Sequence, residues 1–160
     1  MKKTLLLFLL ISFTIVSLGQ KKLLNRGEIS AQTFIPSGNL SKTHYVGIGM
    51  SVEGETKEKN NLGIGFNSGY NYVLGEKNNK SIIQFPAYIG IKYHFGNMVS
   101  FGQFFGVNYI TQGYGFSSAT LTYIKFDGIN FTTDIRYINS SLIKIVSDFS
   151  GIGITIGYKF

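Results

Sequence analysis

From residue 28 onward the apolar positions recur every second residue, not every third or fourth, so the chain reads as strands rather than helices. The ending is the clearest case. Ile152, Ile154, Ile156, Tyr158 and Phe160 share one face, while Gly151, Gly153, Thr155, Gly157 and Lys159 share the other. Successive side chains of a strand point to opposite faces, so one face is wholly apolar and the other small or polar. The same alternation predicts seven further strands over residues 29–35, 46–53, 62–74, 84–95, 99–111, 117–126 and 129–138. On the sixth, Ala119, Leu121 and Tyr123 are expected to share the apolar face, opposite Ser118, Thr120 and Thr122. Asp127-Gly128 and Gly96-Asn97 separate adjacent segments, and Asp-Gly suits a tight hairpin because both central residues tolerate positive φ. Residues 55–61, 75–80, 111–115 and 139–150 read as polar links, the last unusually rich in Leu, Ile, Val and Phe. Pro86 interrupts the fourth strand, where a bulge is expected because proline removes a ladder donor.

Eight segments of 7 to 13 residues bracket the roughly nine to eleven that a tilted strand needs to cross a bilayer. A soluble sandwich or ligand-binding barrel also alternates, but it points the apolar face inward and a charged face outward. Here the non-apolar face is Gly, Ser, Thr and Asn with few charges. That pattern suits a narrow lumen, with the bulky face against lipid. Phe34, Tyr88, Phe104 and Ile110 fall on the lumen face, where they would serve as packing.

The first 19 residues differ. Met1-Lys2-Lys3 is a short basic start, residues 5–16 are nearly all apolar, and Ser17-Leu18-Gly19 places small residues before Gln20. This is the three-part pattern of a secretory signal peptide, and the apolar run is too short to span ~30 Å of hydrocarbon. The expected organisation is a signal peptide over 1–19, a short lead over 20–27 and one β-domain over 28–160.

Composition supports this picture. Twenty glycines and 24 Phe plus Tyr accompany only 14% charged residues and two prolines. The net charge is +7; without Lys2 and Lys3 the balance is 13 basic to 8 acidic residues, or +5. Such an excess suits anionic lipid or lipopolysaccharide phosphates. No basic run exceeds two residues and no recognition helix can be drawn, which argues against nucleic acid. The absence of cysteine excludes disulfides, thiolate metal sites, a Cys nucleophile and a lipid-modified Cys.

The chain resembles the small bacterial outer-membrane β-barrel proteins, a porin-like family shaped like the OmpA transmembrane domain or OmpX. The resemblance is carried by Gly153-Ile154-Thr155-Ile156-Gly157-Tyr158-Lys159-Phe160 and by residues 86–95. It implies an all-β, eight-stranded, antiparallel, up-and-down transmembrane barrel in the outer membrane of a Gram-negative-type cell. Ile154, Ile156, Tyr158 and Phe160 would then form the C-terminal signal read by the barrel-assembly machinery. Outer-membrane lipid and lipopolysaccharide would be the surroundings, and the chain would be a monomer. With both termini periplasmic, Glu28, Glu53, Lys92, His94 and Lys159 would lie near that end of the lumen, with Asp134 and Arg136 higher up. Glu28 and Lys159 would be neighbours at the closure and able to pair. Buried charge demands pairing, so these seven residues are expected to form a structural network rather than an ion path. Tyr93, Phe95, Tyr123, Phe126, Tyr158 and Phe160 would ring the periplasmic interface, with Tyr72, Phe85, Tyr109 and Tyr137 at the outer one.

Catalytic and metal chemistry find little support. The only histidines are His44, beside Ser41, and His94. Neither has the spacing of a nucleophile unit or a metal site. The expected role is therefore structural or interactive, non-enzymatic and cofactor-free. The alternatives are a lipid-modifying enzyme using His44, and a narrow pore for small solutes.

Overall fold

The structure is a computed structural model and describes residues 24–56, 60–76, 79–111, 115–142 and 149–160. Eight strands follow in chain order: β1 (Leu24–Ser37), β2 (His44–Thr56), β3 (Leu62–Gly75), β4 (Ile82–Phe95), β5 (Val99–Ile110), β6 (Gly115–Asp127), β7 (Phe131–Leu142) and β8 (Phe149–Lys159). Each pairs antiparallel with its chain neighbour, and β8 pairs back onto β1, closing the barrel. A short 3-10 turn at Leu40–Lys42 is the only helical element among the described residues. The proposed signal segment and residues 143–148 of the apolar link lie outside the described residues; the rest of that link extends β7 and β8.

Closure removes the edges that an open sheet would expose. The seam is regular from Glu28↔Lys159 to Ser37↔Ser150. It is finished at the terminal end by Gly27 N–H to the Phe160 carbonyl (3.2 Å) and Phe160 N–H to the Gly27 carbonyl (3.0 Å). The turns at that end are short. Asn60 and Asn61 take left-handed angles (φ 54° and 63°), as does Gly96 (φ 67°). Gly128 does not, so the Asp-Gly turn expected at 127–128 is replaced by a three-residue connection held by Gly128 N–H to the Phe131 carbonyl (2.8 Å).

No bulge forms at Pro86. Pairing with β5 runs unbroken through Pro86↔Asn108, and register with β3 is the same on either side, from Ser68↔Ala87 to Asn71↔Gln84. Only the pairs between those two are lost. The missing N–H of Pro86 therefore costs a short gap in one ladder instead of an extra residue, and Ser68 Oγ donates to the Pro86 carbonyl (2.9 Å).

The exterior is apolar. Ile29, Ile48, Ile64, Ile89, Phe105, Ile135, Ile154 and Ile156 are among the large hydrophobic side chains exposed on it. The buried side is mixed: ten apolar residues, including Phe34, Phe104, Leu121 and Tyr123, share the lumen with many polar and charged groups. On β6 the orientation is the reverse of that expected. Ala119, Leu121, Tyr123 and Lys125 point inward, and Ser118, Thr120, Thr122, Ile124 and Phe126 point outward. Lys125 explains the parity: its ammonium would be costly against lipid, and inside it meets carboxylates. Tyr123 therefore belongs to the lumen and not to an interfacial ring. Phe104 and Tyr123 stack with ring centroids 5.5 Å apart and fill the bore. Glycine makes the space. A Cβ at Gly102 would strike the Tyr123 ring, and one at Gly47 the Phe34 ring.

Candidate functional site

The lumen holds the only dense set of titratable groups among the described residues, and the inward parity of five strands builds it. Glu28 comes from β1, Glu53 and Glu55 from β2, Lys92 and His94 from β4, Lys125 from β6, and Asp134 and Arg136 from β7. All eight are buried.

Lys125 is the hub. Its Nζ lies 2.9 Å from Glu28 Oε2 and 2.9 Å from Glu53 Oε1. It also sits 4.9 Å from the centre of the Tyr123 ring. Glu53 collects more donors: Lys92 Nζ at 3.2 Å, the Tyr123 hydroxyl at 2.9 Å and Asn67 Nδ2 at 3.3 Å. Lys92 bridges on to Glu55 Oε2 at 3.2 Å, and His94 Nε2 lies 2.5 Å from Glu55 Oε1. One continuous chain of ion pairs thus crosses from β1 through β6 and β2 to β4.

A second unit sits on β7. Arg136 grips Asp134 with two N–H groups, Nε to Oδ1 (2.7 Å) and Nη2 to Oδ2 (2.6 Å). Its third arm, Nη1, donates to Gln32 Oε1 (2.6 Å). This planar two-point grip is what a guanidinium does that an ammonium cannot.

The seven residues expected to form the network are divided by the structure. Glu28, Glu53, Lys92, His94, Asp134 and Arg136 meet in the lumen. Lys159 does not join them. It is opposite Glu28 in the register, but the Glu28–Lys159 pair does not form. Lys125 takes Glu28 because it reaches it from across the bore. Lys159 turns to the rim, where Nζ donates to Asp127 Oδ1 (3.4 Å) and to the Gly128 carbonyl (2.5 Å). Lys125 and Glu55 are additional members. The sequence pattern puts Glu55 in a link, but β2 runs one residue beyond it to Thr56, giving it the lumen parity of Glu53.

The other catalytic candidates are engaged elsewhere. His44 Nδ1 lies 2.8 Å from the Thr43 hydroxyl, and Nε2 donates to the Lys80 carbonyl (3.2 Å). Ser41 Oγ donates to the Gly38 carbonyl (2.8 Å). The ring thus ties Thr43, in the β1–β2 connection, to Lys80, in the β3–β4 connection, and Ser41 is turned to its own backbone. Among the described residues no group of three His, Asp or Glu side chains could hold a metal ion. Chemically, the lumen is a set of charges neutralised in place and hemmed by aromatic rings.

No family model and no curated relative matches the sequence. Solved structures do match in shape. Ail, the attachment invasion locus protein of Yersinia pestis, superposes with a TM-score of 0.62 at 14% identity, over 87% of this chain and 99% of that one. The outer membrane enzyme PagL superposes at 0.63 and 13% identity, over 83% and 98%. The N-terminal β-barrel domain of Pseudomonas aeruginosa OprF superposes at 0.55 and 12% identity, over 87% and 100%. The fold is that of the small eight-stranded outer-membrane barrels.

Proposed function

We propose that the chain is an integral outer-membrane barrel with a packed polar lumen and a structural or interactive role at the cell envelope. The observation that carries this is the inverted distribution of polarity. Large apolar side chains cover the outside while the ion pairs lie inside. In water that arrangement would expose a continuous apolar surface far larger than soluble monomers tolerate. In lipid it satisfies both the exterior and the backbone, since a closed barrel leaves no strand edge unpaired.

On this reading the terminal end faces the periplasm and the longer connections face outward. The N-terminal segment serves as the export signal, and the C-terminal strand is presented to the assembly machinery. The surroundings are outer-membrane lipid and lipopolysaccharide, and the barrel acts as a monomer. A bore occupied by Phe34, Phe104, Tyr123 and the ion pairs favours a plug over a passage, as an eight-stranded barrel has room only for its own side chains. The neighbours in fold include an outer membrane enzyme and an attachment invasion locus protein, so fold alone does not supply a reaction.

The decisive experiment is gel mobility of the envelope fraction with and without boiling. A heat-dependent shift of the band is the expected result. A protein found soluble in the periplasm with no shift would refute the reading. A planar-bilayer recording without single-channel steps would separate the packed barrel from a narrow pore.

A further inference from the structure

A ring of side-chain amides circles the lumen above the ion pairs, and its hydrogen bonds all run in one direction. It begins at Arg136 on β7, whose Nη1 donates to Gln32 Oε1 (2.6 Å). A guanidinium can only donate, so Gln32 must turn its oxygen to Arg136 and its Nε2 away. Gln32 Nε2 donates to Asn71 Oδ1, reaching past β2 at Gly49, where a Cβ would collide with Asn71. Asn71 Nδ2 then donates to Gln84 Oε1 (3.3 Å). On the far side Asn108 Nδ2 donates to Ser140 Oγ (3.1 Å), which returns the ring to β7.

One link is open. Gln84 Nε2 and Asn108 Oδ1 are both buried, and neither has a hydrogen-bond partner in the protein. They lie on adjacent strands. Pro86 opposes Asn108, so Gln84 and Tyr88 flank Asn108 diagonally on the same inward face. The Tyr88 hydroxyl is a third buried group without a partner. Gln84 and Asn108 are fully buried and Tyr88 is 6% exposed. The three atoms are a donor, an acceptor and a group that can be either. Directionality from Arg136 fixes the donor on the Gln84 side, and Asn108 presents the matching acceptor.

We infer that this point is a binding site for one small neutral molecule with both donor and acceptor capacity, namely a structural water. It accepts from Gln84 Nε2, donates to Asn108 Oδ1 and keeps one bond for the Tyr88 hydroxyl. Three partners are the usual complement of a buried water. With it the ring runs unbroken from Arg136 to Ser140. A charged ligand does not suit the site, because Gln84 Nε2, Asn108 Oδ1 and the Tyr88 hydroxyl offer a donor, an acceptor and a group that can be either, and none of the three carries a formal charge. The amides of Gln32, Asn71, Gln84 and Asn108 then form a layer between the Lys125 and Lys92 ion pairs and the apolar residues Val73, Ile82 and Ile110. Each of these lies two residues nearer the outer end than Asn71, Gln84 and Asn108 respectively.

The test is magnetisation transfer from water to the Gln84 side-chain amide protons, measured by NMR on the full barrel in lipid nanodiscs. The expected result is a cross-peak to long-lived water in the wild type, lost in Asn108→Leu and weakened in Tyr88→Phe. Absence of the wild-type cross-peak overturns the inference, and so does its persistence at full strength in Asn108→Leu. Because the wild-type measurement needs no variant, a variant that fails to fold does not spoil the test. Denaturant midpoints give an independent reading. Gln84→Met and Asn108→Leu should each lower the midpoint, and the double variant should fall no further than the worse single one. Apolar replacements that leave the midpoint unchanged or raise it would mean that the two groups are unpaired, and would overturn the site.

Discussion

Replacing Lys125 with methionine removes the hub of the lumen while keeping a chain of similar length and shape. Lys125 is fully buried and holds Glu28 and Glu53 at 2.9 Å each. The two carboxylates then fare differently. Glu53 retains Lys92, the Tyr123 hydroxyl and Asn67. Glu28 loses its cation and stays buried. Breaking a buried pair by removing one partner costs about 3–5 kcal/mol, because the remaining charge is left uncompensated. With a urea slope of about 2 kcal/mol/M the midpoint should fall by roughly 1.5–2.5 M. The chain has no tryptophan, so unfolding is best followed by the heat-modifiable gel band or circular dichroism. Two controls sharpen the result. Glu28→Gln in the Lys125→Met background removes the stranded charge and should recover more than half of the loss. Lys159→Met breaks a rim pair whose lysine side chain is 21% exposed, and should cost no more than about 1 kcal/mol. A Lys125→Met midpoint within 0.5 M of wild type (about 1 kcal/mol at that slope), or no deeper than that of Lys159→Met, would refute the hub.

Three other perturbations follow from the same geometry. Gly102→Ala would place a methyl 2.7–2.8 Å from Tyr123 Cε2 and Cε1, against a ring pinned by Phe104 and Glu53. A loss of about 1–3 kcal/mol of stability, read from the urea midpoint, is expected, partly recovered by adding Tyr123→Leu. Ile154→Arg puts a charge on the exposed apolar face at the middle of β8 and should cost about 2–4 kcal/mol in lipid, read as reduced stability after refolding into bilayers. Deleting Phe160 removes both closing backbone bonds to Gly27 and the ring that packs over it. The folded fraction in the envelope should fall, measured as the heat-modifiable band, and an unchanged band would deny the residue a role in closure or assembly.

How far the sequence discloses this molecule depends on which physical constraint acts at each position. Period-two alternation and closure set the strand number and the inward parity of seven strands, because a one-residue slip would turn every isoleucine of the exterior into the bore. β6 is the exception, and it shows the limit. Over residues 118–123 hydrophobicity places Ala119, Leu121 and Tyr123 outside and Thr120 and Thr122 inside, whereas the ends of the strand, Phe116, Ile124 and Phe126, follow the opposite parity. The decisive residue is Lys125, on the same parity as Tyr123, which cannot face lipid cheaply. Thr122 then settles outside by accepting a local partner, donating its hydroxyl to Gln103 Oε1 (2.7 Å). The charge does not act alone, because the parity that buries Lys125 also turns Phe116, Ile124 and Phe126 outward, where they face lipid. Pairing within the lumen was less legible for a different reason. Register makes Glu28 and Lys159 neighbours, yet partners are chosen across the bore, by which cation can reach while its own strand stays in place. Lys125 lies 97 residues from Glu28, and nothing local in the chain announces their contact. The amide ring has the same character. Gln32, Asn71, Gln84 and Asn108 each look like ordinary polar positions on a strand, and they acquire direction only because Arg136 can do nothing but donate.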